Sequence, residues 1–446
     1  MVRLLVAVVV LAIPSSALAK EIFVSRTTGD DENPGTKAKP KKQLWRVWDM
    51  LEDGDIVRVA EGLEHGEQKA GVMPKIMKSV VFEGGWKADF SERNPFKYLT
   101  IIAAGHDRCG ATREVFQTDD NNRKISVTID GFMIDRGGGA VYSSTGEISQ
   151  TSADYADSSC FGFRAINRKM SGSDPSIELI GENFTVRNNI IINSPWWGIY
   201  VKGGGKGTIT IENNFILGYQ GRGIEAITGG GWGQPTWIIR NNTVAFGWYL
   251  EGRGLSLDPK GDNGKYVIEK NVIAFNQQTG VMTKFAGKGD DVQLINNLFY
   301  FNKFGDYGVG GSGCCNVKDF GDELAVKNSK NVREVPKFIT KISPTYFDRY
   351  TMTVDLTSGL TTTDADLDAA RKAVGLGEWA PATFVDKKYA TYADLPAGRA
   401  TYDIGRYPTP MKVNTGLDAD GWRKHVLPML GLDGERGVQA KFVPGK

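Results

Sequence analysis

The sequence has little of several residue types that mark particular classes of protein. Only 3 of its 446 residues are His, and they lie far apart, which argues against a His-rich zinc site. Lys and Arg total 54 against 52 Asp and Glu, so the basic excess of a nucleic-acid-binding protein is missing. Beyond the N-terminal segment, no apolar run reaches the ~18 residues that a membrane helix needs. We therefore expect neither a nucleic-acid partner nor a membrane span.

Glycine, in contrast, is abundant. The chain has 55 Gly and 17 Pro without a Gly-X-Y period, which excludes collagen and favours a β protein with many turns. Hydrophobic residues make up 41% of the chain and charged residues 24%, so it can bury a large core and is not disordered.

The first 19 residues are typical of a cleaved targeting segment. Arg3 supplies the positive charge, residues 4–13 form an apolar stretch, and Ala17-Leu18-Ala19 matches a small-x-small cleavage site. We expect cleavage near Ala19 and a secreted protein in the extracellular space, at the cell surface or in the periplasm. Export permits disulfides. The four cysteines allow three pairings, among which the sequence does not choose: Cys109, Cys160, Cys314 and Cys315.

One pattern recurs between residues 185 and 302. An Asn marks each repeat at successive spacings of 25, 28, 29 and 26 residues, and a Gly marks the start of an alternating apolar run at spacings of 25, 31 and 26. Two markers that keep one unequal period indicate a solenoid. The Asn residues are Asn189, Asn214, Asn242, Asn271 and Asn297, and the Gly residues are Gly198, Gly223, Gly254 and Gly280.

The short β-branched runs of each repeat cannot bury their apolar side alone. Stacking equivalent strands about 4.8 Å apart gives parallel sheets around one interior. We therefore predict an all-β fold, a parallel β-helix. The Asn column is explained structurally, because Asn tolerates a left-handed turn and stacked Asn side chains can hydrogen-bond between coils.

Weaker signals extend the pattern in both directions. Further coils are predicted at residues 97–105 and 125–135 and around Gly162, and strands at residues 21–25 and 55–60. Between those two strands, Leu44, Val47, Trp48 and Leu51 fall on one face of an amphipathic helix that covers the end of the stack. We divide the chain into a signal peptide (1–19), a cap with the first strands (20–95), coils (96–320) with an inserted loop (137–160), and a C-terminal extension (321–446).

Three segments resemble a known family. They are SRTTGDDENPGTKAKPKKQLWRVWDMLEDGDIVRVAEG (25–62), FEGGWKADFSERNPFKYLTII (82–102) and YDIGRYP (402–408). They are similar to segments of secreted right-handed parallel β-helix proteins of the pectate-lyase-like superfamily. The resemblance covers roughly residues 21 to 410 and implies the fold. It does not imply one activity, because the superfamily holds lyases, hydrolases, epimerases and non-catalytic surface proteins.

Aligning the coils on the marker Gly predicts which side chains point outward as columns. One patch combines aromatic rings with charged groups, and such a patch suits an anionic polysaccharide, because rings stack on sugars while Arg and Lys pair with uronate carboxylates. The predicted catalytic residues are Arg222, Arg253, Lys202 and Lys284. The predicted substrate-binding residues are Trp196, Trp197, Tyr200, Glu225, Asp258 and Lys260.

Several functions fit this patch. In a lyase, Arg222 or Arg253 is the candidate base and Lys202 or Lys284 neutralises the uronate. Family resemblance suggests calcium as neutraliser, although no cofactor is required and two carboxylates, Glu225 and Asp258, make a thin site. The same pair would serve a glycoside hydrolase. Exposed strands also carry charges that merely pair across coils, which leaves a non-catalytic surface or matrix protein as the alternative. We expect a monomer.

Overall fold

The computed structural model shows three long sheets around a shared core, and each full coil of the chain supplies one strand to each sheet. All pairings in the three sheets are parallel except that of the last strand of the third sheet. This is the predicted parallel β-helix. The residues described are 19–65, 73–103, 115–120, 124–135, 141–142, 148–149, 175–194, 197–219, 221–247, 252–258, 264–276, 278–284, 291–310, 312–315, 326–337, 369, 371–373, 375, 430–431, 434–439 and 442.

The three sheets have ten, nine and eight strands. The first sheet contains β1 (Glu21–Val24), β2 (Ile56–Ala60), β4 (Val80–Trp86), β7 (Ser126–Asp130), β12 (Asn183–Arg187), β15 (Thr208–Glu212), β18 (Thr236–Arg240), β21 (Lys265–Glu269), β24 (Val292–Ile295) and β28 (Val326–Ser329). The second contains β3 (Gly62–His65), β5 (Thr100–Ala103), β8 (Phe132–Asp135), β13 (Ile190–Ser194), β16 (Phe215–Tyr219), β19 (Thr243–Gly247), β22 (Val272–Ala274), β25 (Leu298–Tyr300) and β29 (Val332–Arg333). The third contains β6 (Phe116–Gln117), β11 (Ile177–Gly181), β14 (Ile199–Gly205), β17 (Arg222–Gly233), β20 (Arg253–Asp258), β23 (Val281–Thr283), β26 (Tyr307–Val309) and β27 (Ser312–Cys315).

Alternation along each strand builds the core. In the third sheet, Ile199 pairs with Ile224 and Val201 with Ala226, and all four side chains are fully buried. The inward position is apolar in coil after coil, so stacking produces one continuous apolar interior.

The predicted Asn ladder is present at the turn between the first and second sheets. Each side-chain amide donates to the next at 2.9–3.0 Å, from Asn189 through Asn297, and Asn331 extends the ladder by one coil. The left-handed conformation belongs to the preceding residue, such as Asn188 (φ 55°) or Lys270 (φ 55°). Two neighbouring residues therefore divide the two roles, because the stacked amide needs a fixed inward position while its neighbour makes the turn.

The marker Gly column has a steric cause. A Cβ at Gly198 would lie 2.6 Å from the carbonyl oxygen of Gly223, and one at Gly254 would lie 2.5 Å from that of Gly280. Successive coils approach too closely at this corner for any side chain, so the sequence repeats Gly there.

The outer face of the first sheet carries a row of charged residues in register. Neighbours along this row pair across strands, as in Arg187 Nε–Asp130 Oδ2 (2.7 Å) and Arg240 Nη2–Glu212 Oε2 (2.7 Å). We call it the charged row: Arg58, Glu83, Asp130, Arg187, Glu212, Arg240 and Glu269.

The predicted amphipathic helix is a 3₁₀ helix, Leu44–Met50. Leu44 and Val47 are buried in the main core, because side chains at i and i+3 eclipse in this geometry. Among the described residues, no helix is long and apolar enough to cross a membrane.

Several predictions fall on residues outside the description. They concern the signal peptide, the coil around Gly162, Cys109 and Cys160, and most of the inserted loop 137–160, of which only the antiparallel pair β9 (Val141–Tyr142) and β10 (Ile148–Ser149) is described. The disulfide pairing and the domain boundaries stay predictions.

Candidate functional site

The third sheet presents a second outward row, and its composition differs from that of the charged row. Strand register brings side chains from six consecutive coils into line on this face. We call it the site row: Gln117, Glu178, Tyr200, Glu225, Ser256 and Met282.

Aromatic and charged groups meet at the centre of this face. The rings of Trp197 and Tyr200 stack with centroids 5.1 Å apart and an interplanar angle of 22°. The guanidinium carbon of Arg222 lies 5.4 Å from the Trp197 ring, and its Nη1 donates to Glu225 Oε2 at 3.0 Å. Trp197, which precedes β14, thus forms a single cluster with Tyr200 of β14 and with Arg222 and Glu225 of β17.

A neighbouring carboxylate completes the cluster. On β11, Glu178 pairs in register with Tyr200 and accepts a hydrogen bond from Gln117 Nε2 at 2.8 Å. Glu178 is 7% exposed, so its carboxylate is held in place at the edge of the face. The Tyr200 cluster consists of Gln117, Glu178, Trp197, Tyr200, Arg222 and Glu225.

The chemical state of Tyr200 follows from these surroundings. Burial is the main factor that raises the pKa of its phenol above the ordinary value of 10, and the charges of Glu225, Glu178 and Asp120 raise it further. Arg222 acts in the opposite direction but does not offset them. Tyr200 therefore stays protonated at neutral pH and can donate a hydrogen bond, whereas it is a poor base.

Other predicted site residues lie farther along the sheet. Lys202 lies between Ile180 and Ile227 in the next outward row, which continues to Asp258. Asp258 Oδ2 is 3.5 Å from Lys284 Nζ. Arg253 is in register with Arg222, and its Nε donates to Gln278 Oε1. Trp196 and Lys260 are outside the described residues.

The register separates the carboxylates predicted as a pair. Glu225 is directly opposite Ser256, while Asp258 is opposite Ile227, so Glu225 and Asp258 are diagonal neighbours on adjacent strands. The exposed part of the site row ends before its last member, because Met282 is only 1% exposed.

Glu178 and Gln117 were not among the predicted site residues. The prediction aligned coils on the marker Gly, and the position equivalent to Gly198 in the β11 coil is Ser176. A signal was available, because Ser-Ile-Glu-Leu-Ile (176–180) parallels Gly-Ile-Glu-Ala-Ile (223–227). Both segments place a Glu in the site row.

The geometry does not fit a calcium ion at the predicted carboxylates. Ca²⁺ takes six to eight oxygen ligands. Glu225 and Asp258 are instead each paired with a cation, Arg222 and Lys284 respectively. Within the described part of the chain, no group of three or more His, Cys, Asp or Glu is placed to hold a metal.

No protein-family model and no curated protein matches the sequence. Among solved structures, the chain is similar to a GH136 lacto-N-biosidase from Eubacterium ramulus, with 13% identity and a TM-score of 0.44 over 66% of this chain and 57% of that one. It is similar to XylC in complex with xylose, with 13% identity and a TM-score of 0.38 over 65% and 63%. It is also similar to a rhamnogalacturonan lyase, with 14% identity and a TM-score of 0.34 over 81% and 100%. The chain thus spans less than two thirds of the length of the first two proteins, and likeness of this size carries no information about activity.

Proposed function

We propose that the outer face of the third sheet binds an extracellular polysaccharide at the Tyr200 cluster. The observation that carries the proposal is the grouping of two aromatic rings with the planar polar groups of Glu178, Arg222 and Glu225. Aromatic faces pack on the apolar faces of sugar rings, and carboxylates and guanidinium groups form charge-assisted hydrogen bonds with hydroxyls. Export of the mature chain is part of this proposal.

The shape of the sheet supports a polymer as the ligand. Equivalent side chains repeat about every 4.8 Å along the stack, so a linear chain running along it would contact successive coils. The site row runs in register from Gln117 to Ser256; Gln117, Tyr200 and Glu225 are partly exposed, while Glu178 and Ser256 are each 7% exposed. A small ligand would leave most of this row unused.

The charge of the cluster bears on the kind of sugar. Two carboxylates, Glu178 and Glu225, face one guanidinium, Arg222, which is already paired with Glu225 at 3.0 Å. A uronate at this point would lie close to these two carboxylates and to a guanidinium that is already paired. The two carboxylates suit a neutral sugar, and Lys202 and Arg253 suit the anionic polysaccharide that the sequence suggests, so both classes of ligand are to be tested.

Hydrolysis is the second candidate function, and it is favoured by the two carboxylates on either side of Tyr200. Glu178 and Glu225 lie on either side of it, two strands apart, so their Cα atoms are separated by roughly 10 Å. Inverting glycosidases hold their acid and base carboxyl groups ~6.5–9.5 Å apart. The Glu178 carboxylate accepts from Gln117 on the strand away from Tyr200, so it would have to turn toward Glu225 to reach this separation.

Lyase chemistry is less well supported. The base must be able to reach the substrate proton, and the Arg222 guanidinium is instead held by Glu225. Lys284 is likewise paired with Asp258, which reduces its capacity to neutralise a uronate. These ion pairs also suit the non-catalytic surface or matrix protein, since they stabilise the sheet without a ligand.

The test is a binding panel of neutral and uronate polysaccharides, measured by calorimetry on the full-length protein. We expect Trp197→Ala and Glu178→Gln to weaken binding at least tenfold. Glu212→Gln in the charged row is the matched control and should leave binding unchanged. Absence of binding to every polymer would overturn the proposal in favour of a structural role.

Product analysis separates the reactions. New reducing ends without near-ultraviolet absorbance would indicate hydrolysis, and that activity should fall at least 100-fold in Glu178→Gln or Glu225→Gln. An unsaturated, absorbing product would indicate a lyase instead. Binding without either product would leave a non-catalytic carbohydrate-binding protein.

A further inference from the structure

Residues 434–439, which we call the tail segment, lie along the turn between the first and second sheets. Its backbone contacts one coil after another. Gly437 N donates to Lys270 O at 2.8 Å, Val438 N to Thr243 Oγ1 at 3.1 Å, and Gln439 N to Asn213 Oδ1 at 2.6 Å. The segment therefore runs across the strands and joins at least three coils.

The turn is built to accept a peptide backbone. Its residues have left-handed φ values, as at Asn213 (56°), Asn241 (52°) and Asn296 (53°), and their side-chain amides carry the same donor and acceptor as a peptide group. Asn213 Nδ2 donates to Gln439 O at 3.4 Å, and Asn241 Nδ2 donates to Glu435 O at 3.0 Å. These contacts use the tail's main chain rather than its side chains.

Other contacts add shape and charge to this recognition. Val438 is 1% exposed and packs with apolar residues on the outward side of the second sheet. Arg436 Nε donates to Asn296 O at 3.2 Å and to Asn296 Oδ1 at 3.0 Å, and Arg436 Nη1 is 3.5 Å from Glu334 Oε1. The site thus selects an apolar residue and a cation at set positions.

Gly437 is the point of closest approach. Its φ is 72°, and an added Cβ would lie 2.6 Å from Thr243 Oγ1 and 3.0 Å from Val272 Cγ2. No residue with a side chain fits here without displacing the tail or the sheet. The turn therefore fits a peptide that bends at a left-handed Gly, as residues 434–437 do.

We propose that the turn formed by Asn213, Asn241, Lys270 and Asn296 is a binding site for a peptide that bends at a left-handed Gly. The chain's own tail segment occupies it and acts as a removable strap across the coils. Its recognition through main-chain groups, one apolar residue, one Arg, one Gly and the Glu435 side chain, which accepts from Asn296 Nδ2, defines the peptide class. This inference is independent of the proposed polysaccharide site, which lies on the third sheet.

Hydrogen exchange on the full-length protein tests the strap. Gly437→Ala should speed exchange of amides 437–439 at least tenfold, while the ladder amides of Asn214, Asn242 and Asn271 stay protected and show that the stack is folded. Gly434→Ala is the matched control, because Gly434 has the same left-handed conformation (φ 75°) with nothing within 4 Å of an added Cβ. Equal effects of both variants, or no effect of Gly437→Ala, would overturn the proposal.

A peptide in trans tests the site itself. A labelled synthetic peptide of residues 430–442 should bind full-length Gly437→Ala, whose site is vacated, at least tenfold more tightly than the wild type. The same peptide carrying Gly437→Ala should not bind. Val438→Asn is a second full-length variant in case Gly437→Ala fails to fold, and equal binding by all proteins would contradict a built site.

Discussion

The charged row of the first sheet and the site row of the third sheet are both outward rows of one stack, yet they differ in composition. In the charged row, signs alternate at nearly every step from Arg58 to Glu269. Where two carboxylates adjoin, at Glu83 and Asp130, Arg93 places Nη2 2.8 Å from Asp130 Oδ1. Cross-strand pairing accounts for each member of this row.

The site row does not follow this rule. Glu178 and Glu225 carry the same charge and are separated by a tyrosine rather than a cation. The stacked Trp197–Tyr200 pair lies beside them. Cross-strand pairs account for the charged row, whereas the site row brings two aromatic rings and two carboxylates together on one face, and the proposed polysaccharide site rests on this grouping. Substitutions in the charged row should therefore change stability, and substitutions in the site row should change ligand binding.

The largest expected effect is on stability, at Asp130. This carboxylate is fully buried and accepts hydrogen bonds from Arg93, Arg187 and Asn188 at 2.7–2.8 Å. Asp130→Asn leaves the two guanidinium groups without their partner, and breaking a buried ion pair costs about 3–5 kcal/mol. Denaturant unfolding should show this loss, while polysaccharide binding by the folded variant stays unchanged. A loss of binding without a loss of stability would reverse the roles assigned to the two rows.

Glu64 is a buried carboxyl without such cationic partners, so its ionisation should lower the stability of the fold. Glu64, in β3, is 1% exposed, and Leu44 N donates to its Oε2 at 3.2 Å. Burial raises its pKa from 4.5 to about 8; the Leu44 bond and the charge of Arg26 lower it and that of Asp31 raises it, all more weakly. No ion pair is formed by Glu64 within the described part of the chain.

The sign of the pH dependence follows from this shift. Between pH 4.5 and 8 the folded protein holds a proton on Glu64 that the unfolded chain releases, so stability falls as pH rises through this window. The loss from pH 5 to pH 8 should be roughly 2–4 kcal/mol. Glu64→Gln should abolish this part of the slope in thermal or denaturant unfolding, and Glu212→Gln should not. Parallel curves for wild type and Glu64→Gln would contradict the shift.

The scaffold could be predicted from the sequence and the site only in part, for a physical reason. Stacking repeats one local environment in every coil, so Asn271 and Gly254 have the same neighbours as their equivalents and recur at a readable period. A functional residue occurs once. Glu178 was missed because its coil has Ser176 where the others have Gly, and Arg93 reaches Asp130 from a loop 37 residues away.

Some features of the scaffold also lack a local signal. Phe246, Phe275 and Phe301 adopt left-handed conformations (φ 63°, 56° and 49°), which aromatic residues rarely do. Phe246 and Phe275 stack with ring centroids 5.0 Å apart. Contacts between coils stabilise a left-handed conformation that each Phe alone disfavours. The sequence of a single coil therefore does not predict this turn.

A smaller effect is expected for the hydroxyl of Tyr200. Tyr200→Phe keeps the ring that stacks on Trp197 and removes one donor, so binding should weaken about 3- to 10-fold, in line with ~1 kcal/mol for one hydrogen bond. Since the pKa of Tyr200 is raised above 10, wild type and Tyr200→Phe should show the same pH dependence of binding between pH 6 and 9. If wild-type binding changed with pH in that range and binding by Tyr200→Phe did not, the phenol would ionise there.

The smallest expected effect is at the exposed end of the charged row. Arg240 Nη2 is 2.7 Å from Glu212 Oε2, but the Arg240 side chain is 44% exposed, so water competes with the pair. A double-mutant cycle of Arg240→Ala and Glu212→Ala should give a coupling energy below about 1 kcal/mol that declines with added salt. Asp130 belongs to the same row but is buried. The loss of unfolding free energy in Asp130→Asn, compared with the Arg240–Glu212 coupling energy, therefore measures how much burial adds to the effect of charge alternation. A coupling as large as the effect of Asp130→Asn would mean that alternation alone holds the coils together.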